Sequence, residues 1–421
     1  MLSTDLHRLR SEDCSWDYRN EPTKRYSQGF HSYPAMMIPQ VASRLIRLYS
    51  NEGDILLDPF CGSGSVLVEA KVAKRYSWGI DLNPLAILIA KAKTTPINPS
   101  LLYKEYYRLI DRIRQMPDGE VATPQFFNID FWFKKPVIEG LAKIKAAIDE
   151  IGVPEIQDFF KVAFSEVVRL SSNSRSGEFK LFRYPESKLE NYSPRPLDLF
   201  IEKAGANIEA MRKFHELCHK GAWSRELQAD STEEVEEIRP GTIDIIVTSP
   251  PYGDSRTTVA YGQFSRLSSQ WLGLMPEKAI DIDREMLGGR PVRQAEGNLP
   301  SPTLTNTIAL VKEKDETRSK QVKAFYVDFC KSLKHMATYL RTGGFACIVI
   351  GNRRVKGMEL PTDIITCELA QEYGLEPLQI IVRNIPNKTM PLRNSPTNVP
   401  GATEATMVKE YIVILKKERA S

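Results

Sequence analysis

The chain has no Cys-x-x-Cys pair, no apolar run long enough to cross a bilayer, and only five histidines among its 421 residues. Its cysteines (Cys14, Cys61, Cys218, Cys330, Cys347, Cys367) are scattered, which fits reduced thiols and excludes a disulfide frame or a cysteine zinc site. The amino terminus is polar and offers no apolar core for a signal peptide, so secretion and membrane insertion are not expected and a cytoplasmic setting is. Repeats and low-complexity tracts are missing too. A formal net charge of +4 is too small to demand a nucleic-acid partner, yet it permits one wherever basic residues cluster. His215-Glu-Leu-Cys-His219 has the spacing of zinc hydrolases, but zinc chemistry needs a third ligand and an open water position. No further ligand cluster accompanies it. The stretch is expected to be a solvated helix face, and no metal is expected.

Two stretches carry chemistry. Ile243-Asp-Ile-Ile-Val247 is a β-branched run after Pro240-Gly241 and reads as a buried parallel strand. Thr248-Ser-Pro-Pro-Tyr-Gly253 follows it. Two prolines continue neither a strand nor a helix, so the backbone there is fixed. A ring and a hydroxyl then stand at the open carboxyl end of the sheet, where ligands of α/β folds bind. Far upstream, Asp54-Ile-Leu-Leu-Asp-Pro-Phe-Cys-Gly-Ser-Gly-Ser65 reads as a strand ending at Asp58, a glycine turn, and a helix starting near Ser65. Such a turn presents backbone N–H groups to a ligand. The next strand, Tyr76-Ser-Trp-Gly-Ile-Asp81, ends on a carboxylate about 20 residues further on, as ribose recognition requires. A nicotinamide enzyme could use the same layout, although it would give Ser-Pro-Pro-Tyr no role.

Together the two stretches resemble the S-adenosylmethionine-dependent amino-methyltransferases of DNA, the cytosine-N4 and adenine-N6 family. Asp-Pro-Phe-x-Gly-Ser-Gly matches that family's cofactor motif and Ser-Pro-Pro-Tyr its catalytic motif. The resemblance implies an α/β fold: a Rossmann-like seven-stranded sheet, mostly parallel, whose last strand runs antiparallel. It implies S-adenosylmethionine as cofactor and double-stranded DNA as partner, with a cognate restriction endonuclease and a prokaryotic or phage setting. Carried over residue by residue, the cofactor would be held by His31, Tyr33 and Pro34, by Asp58, Pro59, Phe60, Cys61, Gly62, Ser63 and Gly64, by Asp81 and Leu82, and by Asp230 and Ser231. Ser249, Pro250, Pro251 and Tyr252 would form the catalytic corner. Ser-Pro-Pro-Tyr is the version typical of cytosine-N4 methylation, whereas Asp or Asn in the first place is typical of adenine-N6. Guanine-N2 methylation of transfer RNA uses related motifs, but no separate RNA-binding domain fits before residue 31. A catalytically silent DNA-binding subunit is the rival from another class.

The periodicity organises the remainder. Residues 1–95 comprise an aromatic, polar arm, a helix from Pro39 to Tyr49, and the cofactor half of the sheet. Residues 96–222 read as a mainly helical insert, with helical periods at 101–115, 137–151 and 156–170. Residues 223–421 hold the catalytic half, interrupted by an irregular segment at 254–320. There an amphipathic helix carrying Val322, Phe325, Phe329, Leu333, Met336 and Leu340 is expected to stop at Gly343-Gly344. The insert is the favoured DNA-reading part, through residues 171–183 with Ser174, Arg175, Lys180 and Arg183. The runner-up is 254–320 with Arg256, and the loop 384–406 adds Lys388 and Arg393.

Overall fold

β-Branched residues suit an extended chain buried on both faces, and the apolar runs of this sequence assemble into one eight-stranded sheet. The computed structural model describes residues 3–117, 119–175, 177–253, 258–274, 282–290, 299–386, 393–394, 404–405 and 407–418. In chain order the sheet strands are β1 (Arg10–Glu12), β2 (Ile55–Asp58), β3 (Tyr76–Asp81), β4 (Ser224–Gln228), β5 (Ile243–Thr248), β6 (Leu340–Ile350), β7 (Leu375–Asn384) and β8 (Lys409–Lys417). Their spatial order is β1-β7-β8-β6-β5-β2-β3-β4. Only β8 runs against its neighbours in this sheet.

The sheet is thus mostly parallel with an antiparallel last strand, as expected, but it has eight strands where seven were expected. The extra one is β1, three residues of the amino-terminal arm laid parallel on the edge of β7. Its pattern is too short and polar to register in the sequence. It is held by Asp13 N–H donating to the Val382 carbonyl at 3.0 Å. The Arg10 guanidinium also grips Asp363 with two bonds of 2.6 and 2.8 Å.

Helices cover both faces. On one, α1 (Pro39–Tyr49) and α2 (Ser65–Val72) share a core with Leu56, Ile245, Val247, Ile412 and Ile414. α3 (Pro84–Thr94) follows β3; Asn83 caps its start by accepting from Leu85 N–H, and Pro84 takes the first-turn place. The insert contributes α4 (Pro99–Gln115), α5 (Lys135–Asp149), α6 (Pro154–Ser171) and α7 (Pro196–Leu217). Their apolar sides form a cluster without any strand residue. It takes in Leu85 and Ile89 of α3 and also Phe264, Leu267 and Trp271. Those three belong to α8 (Tyr261–Leu272), so the insert shares its core with the chain that follows the catalytic stretch. The other face of the sheet carries α9 (Pro302–Lys314), α10 (Glu316–Tyr339) and α11 (Thr362–Gln371).

Three expectations fail on local chemistry. α10 stops at Tyr339 rather than at Gly343-Gly344, because Leu340 already pairs with Ile243. The glycines lie inside β6, where the register with β5 slips. α9 occupies part of the segment read as irregular; Ser301 caps it by accepting from Leu304 N–H at 3.0 Å. And α7 ends at Leu217, so His219 lies beyond the helix in a turn closed by Ala222 N–H on its carbonyl. The two imidazoles therefore do not share a helical turn. Among the described residues no group of three potential metal ligands occurs, and no helix is long and apolar enough to cross a membrane.

Candidate active site at the carboxyl edge of the sheet

The strand ends of β2, β3, β4 and β5 lie side by side and open on a cleft. From the predicted cofactor residues its wall takes Tyr33, Pro34, Asp58, Pro59, Phe60, Cys61, Gly62, Ser63, Asp81, Leu82, Asp230 and Ser231, and from the Ser-Pro-Pro-Tyr stretch Ser249 and Pro251. The glycine loop is held by the carboxylate of the next strand. Asp81 accepts from Gly62 N–H at 2.9 Å and from Asn83 N–H at 2.8 Å. Gly64 lies outside the wall and has a packing role. Its φ of +78° favours glycine, and a Cβ there would come within 2.8 Å of Ala90 Cβ, so α2 and α3 touch only because it has none. Burial pushes the Asp81 carboxyl up to about 6, against the pull of its two N–H donors.

Asp58 joins the two chemical stretches. Thr248 Oγ donates to Asp58 Oδ1 at 2.6 Å, and Phe60 N–H donates to the same oxygen at 3.1 Å. Burial still pushes this carboxyl up to about 7. One residue on, Ser249 Oγ donates to the Tyr252 hydroxyl at 3.4 Å, and that hydroxyl donates to Glu410 Oε1 at 3.0 Å. Glu410 on β8 pairs with Arg383 on β7, whose Nε donates to the Trp16 carbonyl at 2.8 Å. The Ser-Pro-Pro-Tyr corner is therefore braced from the sheet and the amino-terminal arm. Tyr252 stands off the cleft wall. Its ring fits because Gly351 has no side chain, since a Cβ there would reach within 2.9 Å of Tyr252 Cδ2. Pro250 is buried and also off the wall.

His31 does not line the cleft: it is 2% exposed, edge-on to Phe264 with 6.0 Å between ring centroids, and among the described residues neither ring nitrogen finds a hydrogen-bond partner. Burial lowers it to about 4, so it is neutral. Two residues later the wall begins with Tyr33, which accepts from Asn83 Nδ2 at 3.0 Å and stacks on Tyr261. Sequence reasoning misses Tyr261, together with Met36, Met37 and Glu285 of the wall. Tyr261, Phe264, Leu267 and Trp271 recur at helical spacing, a signal that could have found the first of these.

Of the predicted DNA contacts, Ser174 is buried with its hydroxyl 2.6 Å from that of Ser172, so it shapes the loop from inside. Arg175 is exposed and Arg183 half-buried, and they are paired with Glu178 and Glu186. Arg183 also lies over the Phe131 ring at 4.7 Å. Phe182 and Phe131 are exposed beside them. Leu181 N–H donates to Gln263 Oε1 at 3.3 Å, which seats this loop against α8 and hence beside the cleft. Arg256, Lys388 and the side chain of Arg393 lie outside the described residues.

A family model described as DNA methylase, of the N6/N4 methyltransferase type, matches residues 7–92. The Type II methyltransferase M.MvaI of Kocuria varians is 41% identical over 95% of this chain and 93% of its own length. The chain belongs to the DNA amino-methyltransferase family. Its methyl donor is S-adenosylmethionine, as in that family. M.MjaII of Methanocaldococcus jannaschii is 31% identical over 44% of this methyltransferase and 36% of its own length. M.BsoBI of Geobacillus stearothermophilus is 20% identical over 85% and 78%.

The raised carboxyls of the methyltransferase predict a pH dependence. An unfolded aspartate titrates near about 3.9, so between about pH 4 and about pH 7 the folded state holds protons that the unfolded state has released. Stability therefore falls as pH rises through that window. Asp58→Asn removes much of the fall, read as denaturant midpoints at about pH 5 and about pH 7.5. Equal losses in both proteins would mean that Asp58 is ionised throughout.

Proposed function

We propose that the chain methylates the exocyclic N4 amine of a cytosine flipped out of duplex DNA, within a restriction–modification pair. The observation that carries this reading is the position of Ser249. It is the first residue of Ser-Pro-Pro-Tyr, it lies on the wall of the cleft that also contains the glycine loop, and Thr248 beside it is tied to Asp58. Serine there favours cytosine, and adenine-N6 is the second reading.

The cleft suits the cofactor by its donor set. Asp81 would accept from ribose hydroxyls, Asp230 and Ser231 would meet the adenine edge, and the loop at residues 60–64 would approach the methionine part. Asp230 Oδ1 is occupied by the Thr232 N–H and hydroxyl at 2.9 and 2.8 Å, which orients the carboxylate. Bound S-adenosylmethionine supplies an electrophilic methyl group. The protein's part is position, because the reaction is an in-line displacement. A base amine is a weak nucleophile because its lone pair is spread into the ring. The Ser249 hydroxyl and the Pro250 carbonyl accept its hydrogens and favour the tetrahedral nitrogen that attacks. Tyr252 stacks on the extruded base, which is out of reach inside the helix. Glu410 holds that ring through the tyrosine hydroxyl.

Duplex DNA would lie across the segment at residues 171–183, with Arg175 and Arg183 exchanging their Glu178 and Glu186 partners for phosphates and Lys180 adding a third cation. The exposed rings of Phe131 and Phe182 stand among them. The rival segment at 254–320 adjoins the same surface through Gln263.

Two experiments test this. Tyr252→Ala should lose stacking worth about 1–3 kcal/mol, a fall of about five- to 150-fold in binding of the flipped base. Ser249→Ala should slow single-turnover methyl transfer while cofactor affinity stays near normal. Folded variants that both transfer at the wild-type rate would remove the catalytic assignment. Neutralising Arg175, Lys180 and Arg183 together should weaken all duplexes alike and reduce the salt slope by about one for each phosphate that is no longer neutralised. An unchanged affinity and slope would move the DNA surface elsewhere.

A further inference from the structure

Lys93, on α3, has 0% of its surface exposed. Lysines are almost never fully buried unless paired, and among the described residues Lys93 makes no ion pair. Its Nζ has three long contacts: Ser63 Oγ at 3.4 Å, Gln28 Oε1 at 3.5 Å and Met36 Sδ at 3.9 Å. Burial pushes the ammonium down to about 7, with Glu69 pulling the other way. Glu69 is already engaged. It accepts from the Tyr26 hydroxyl at 2.6 Å and Gln28 Nε2 at 3.1 Å, and it faces Arg25 at 3.9 Å. The positive charge is thus left without an opposite charge in contact. Yet two of its three neighbours, Ser63 and Met36, form part of the cleft wall.

We propose that Lys93 is the counter-charge for the carboxylate of the cofactor's methionine part, acting through Ser63. Ser63 Oγ accepts from the ammonium, so its own proton is free to turn toward the cleft. A carboxylate oxygen accepts it there, in a charge-assisted bond backed by the cation. The need is electrostatic. Asp81 and Asp230 line the same cleft, and a further carboxylate entering it meets their repulsion. Lys93 is a positioning residue, since it reaches the ligand only by way of Ser63.

The inference rests on the cleft holding S-adenosylmethionine, and two ligands separate the claims. S-Adenosylhomocysteine has the amino-acid tail; 5′-methylthioadenosine has the same adenosine and thioether without it. By calorimetry, Lys93→Met should weaken S-adenosylhomocysteine by about ten- to 150-fold, the worth of a charge-assisted hydrogen bond, and leave methylthioadenosine unchanged. The variant should melt at or above the wild-type temperature, because a buried unpaired charge is replaced by an apolar chain of similar length. Ser63→Ala, on the cleft wall, should reproduce the selectivity and carries the same comparison if Lys93→Met does not fold. Equal weakening of both ligands, or of neither, overturns the proposal. A wild type that binds neither ligand overturns the cofactor reading of the cleft, and this inference with it.

Discussion

One hydrogen bond joins the two halves of the site: Thr248 Oγ to Asp58 Oδ1, 2.6 Å, between residues 190 apart in sequence. It exists because β2 and β5 are parallel neighbours whose carboxyl ends stop within one residue of each other. In such a sheet the loops that leave the strand ends gather along one edge. The glycine loop leaves β2 there, and the fixed Ser-Pro-Pro corner leaves β5. The glycine loop and the Ser-Pro-Pro corner are set side by side by strand register. The bond also explains why a buried carboxyl is tolerated at Asp58, since donors satisfy it while burial raises its pKa.

The acceptor side is braced from a different direction. Tyr252 leans on Glu410, Glu410 on Arg383, and Arg383 on the backbone of Trp16 and Asp17. Arg383 is 4% exposed, so removing Glu410 would strand a buried cation, a costly change. The amino-terminal arm thus does more than cover the sheet edge. It fixes the far end of a polar chain that finishes at the proposed stacking ring.

The sequence revealed whatever depends on neighbours in the chain. The strands before Asp58, Asp81 and Thr248 and the helices of the insert all follow from local patterns of apolar residues, glycine and proline. What stayed hidden depends on partners far away. β1 is a strand only because β7 offers it an edge. Glu410 and Arg383 read as ordinary charges until the antiparallel pairing of β7 and β8 sets them opposite. Gly343-Gly344 imitated a helix stop because glycine also serves a slip in strand register. His31 resembled a ligand by its place before the glycine loop, yet its side chain turns into the core beside Phe264. Lys93 looked like one more helix lysine, because burial leaves no trace in a residue's name.

The proposed reaction of this cleft and corner is methylation of a cytosine amine. The direct measurement is to incubate the protein with methyl-labelled S-adenosylmethionine and mixed-sequence duplex DNA, digest to nucleosides, and identify the labelled one. The account predicts label in N4-methyldeoxycytidine. Label in N6-methyldeoxyadenosine would contradict the reading of Ser249, and no label in any nucleoside, from protein that binds the cofactor, would contradict the enzyme itself.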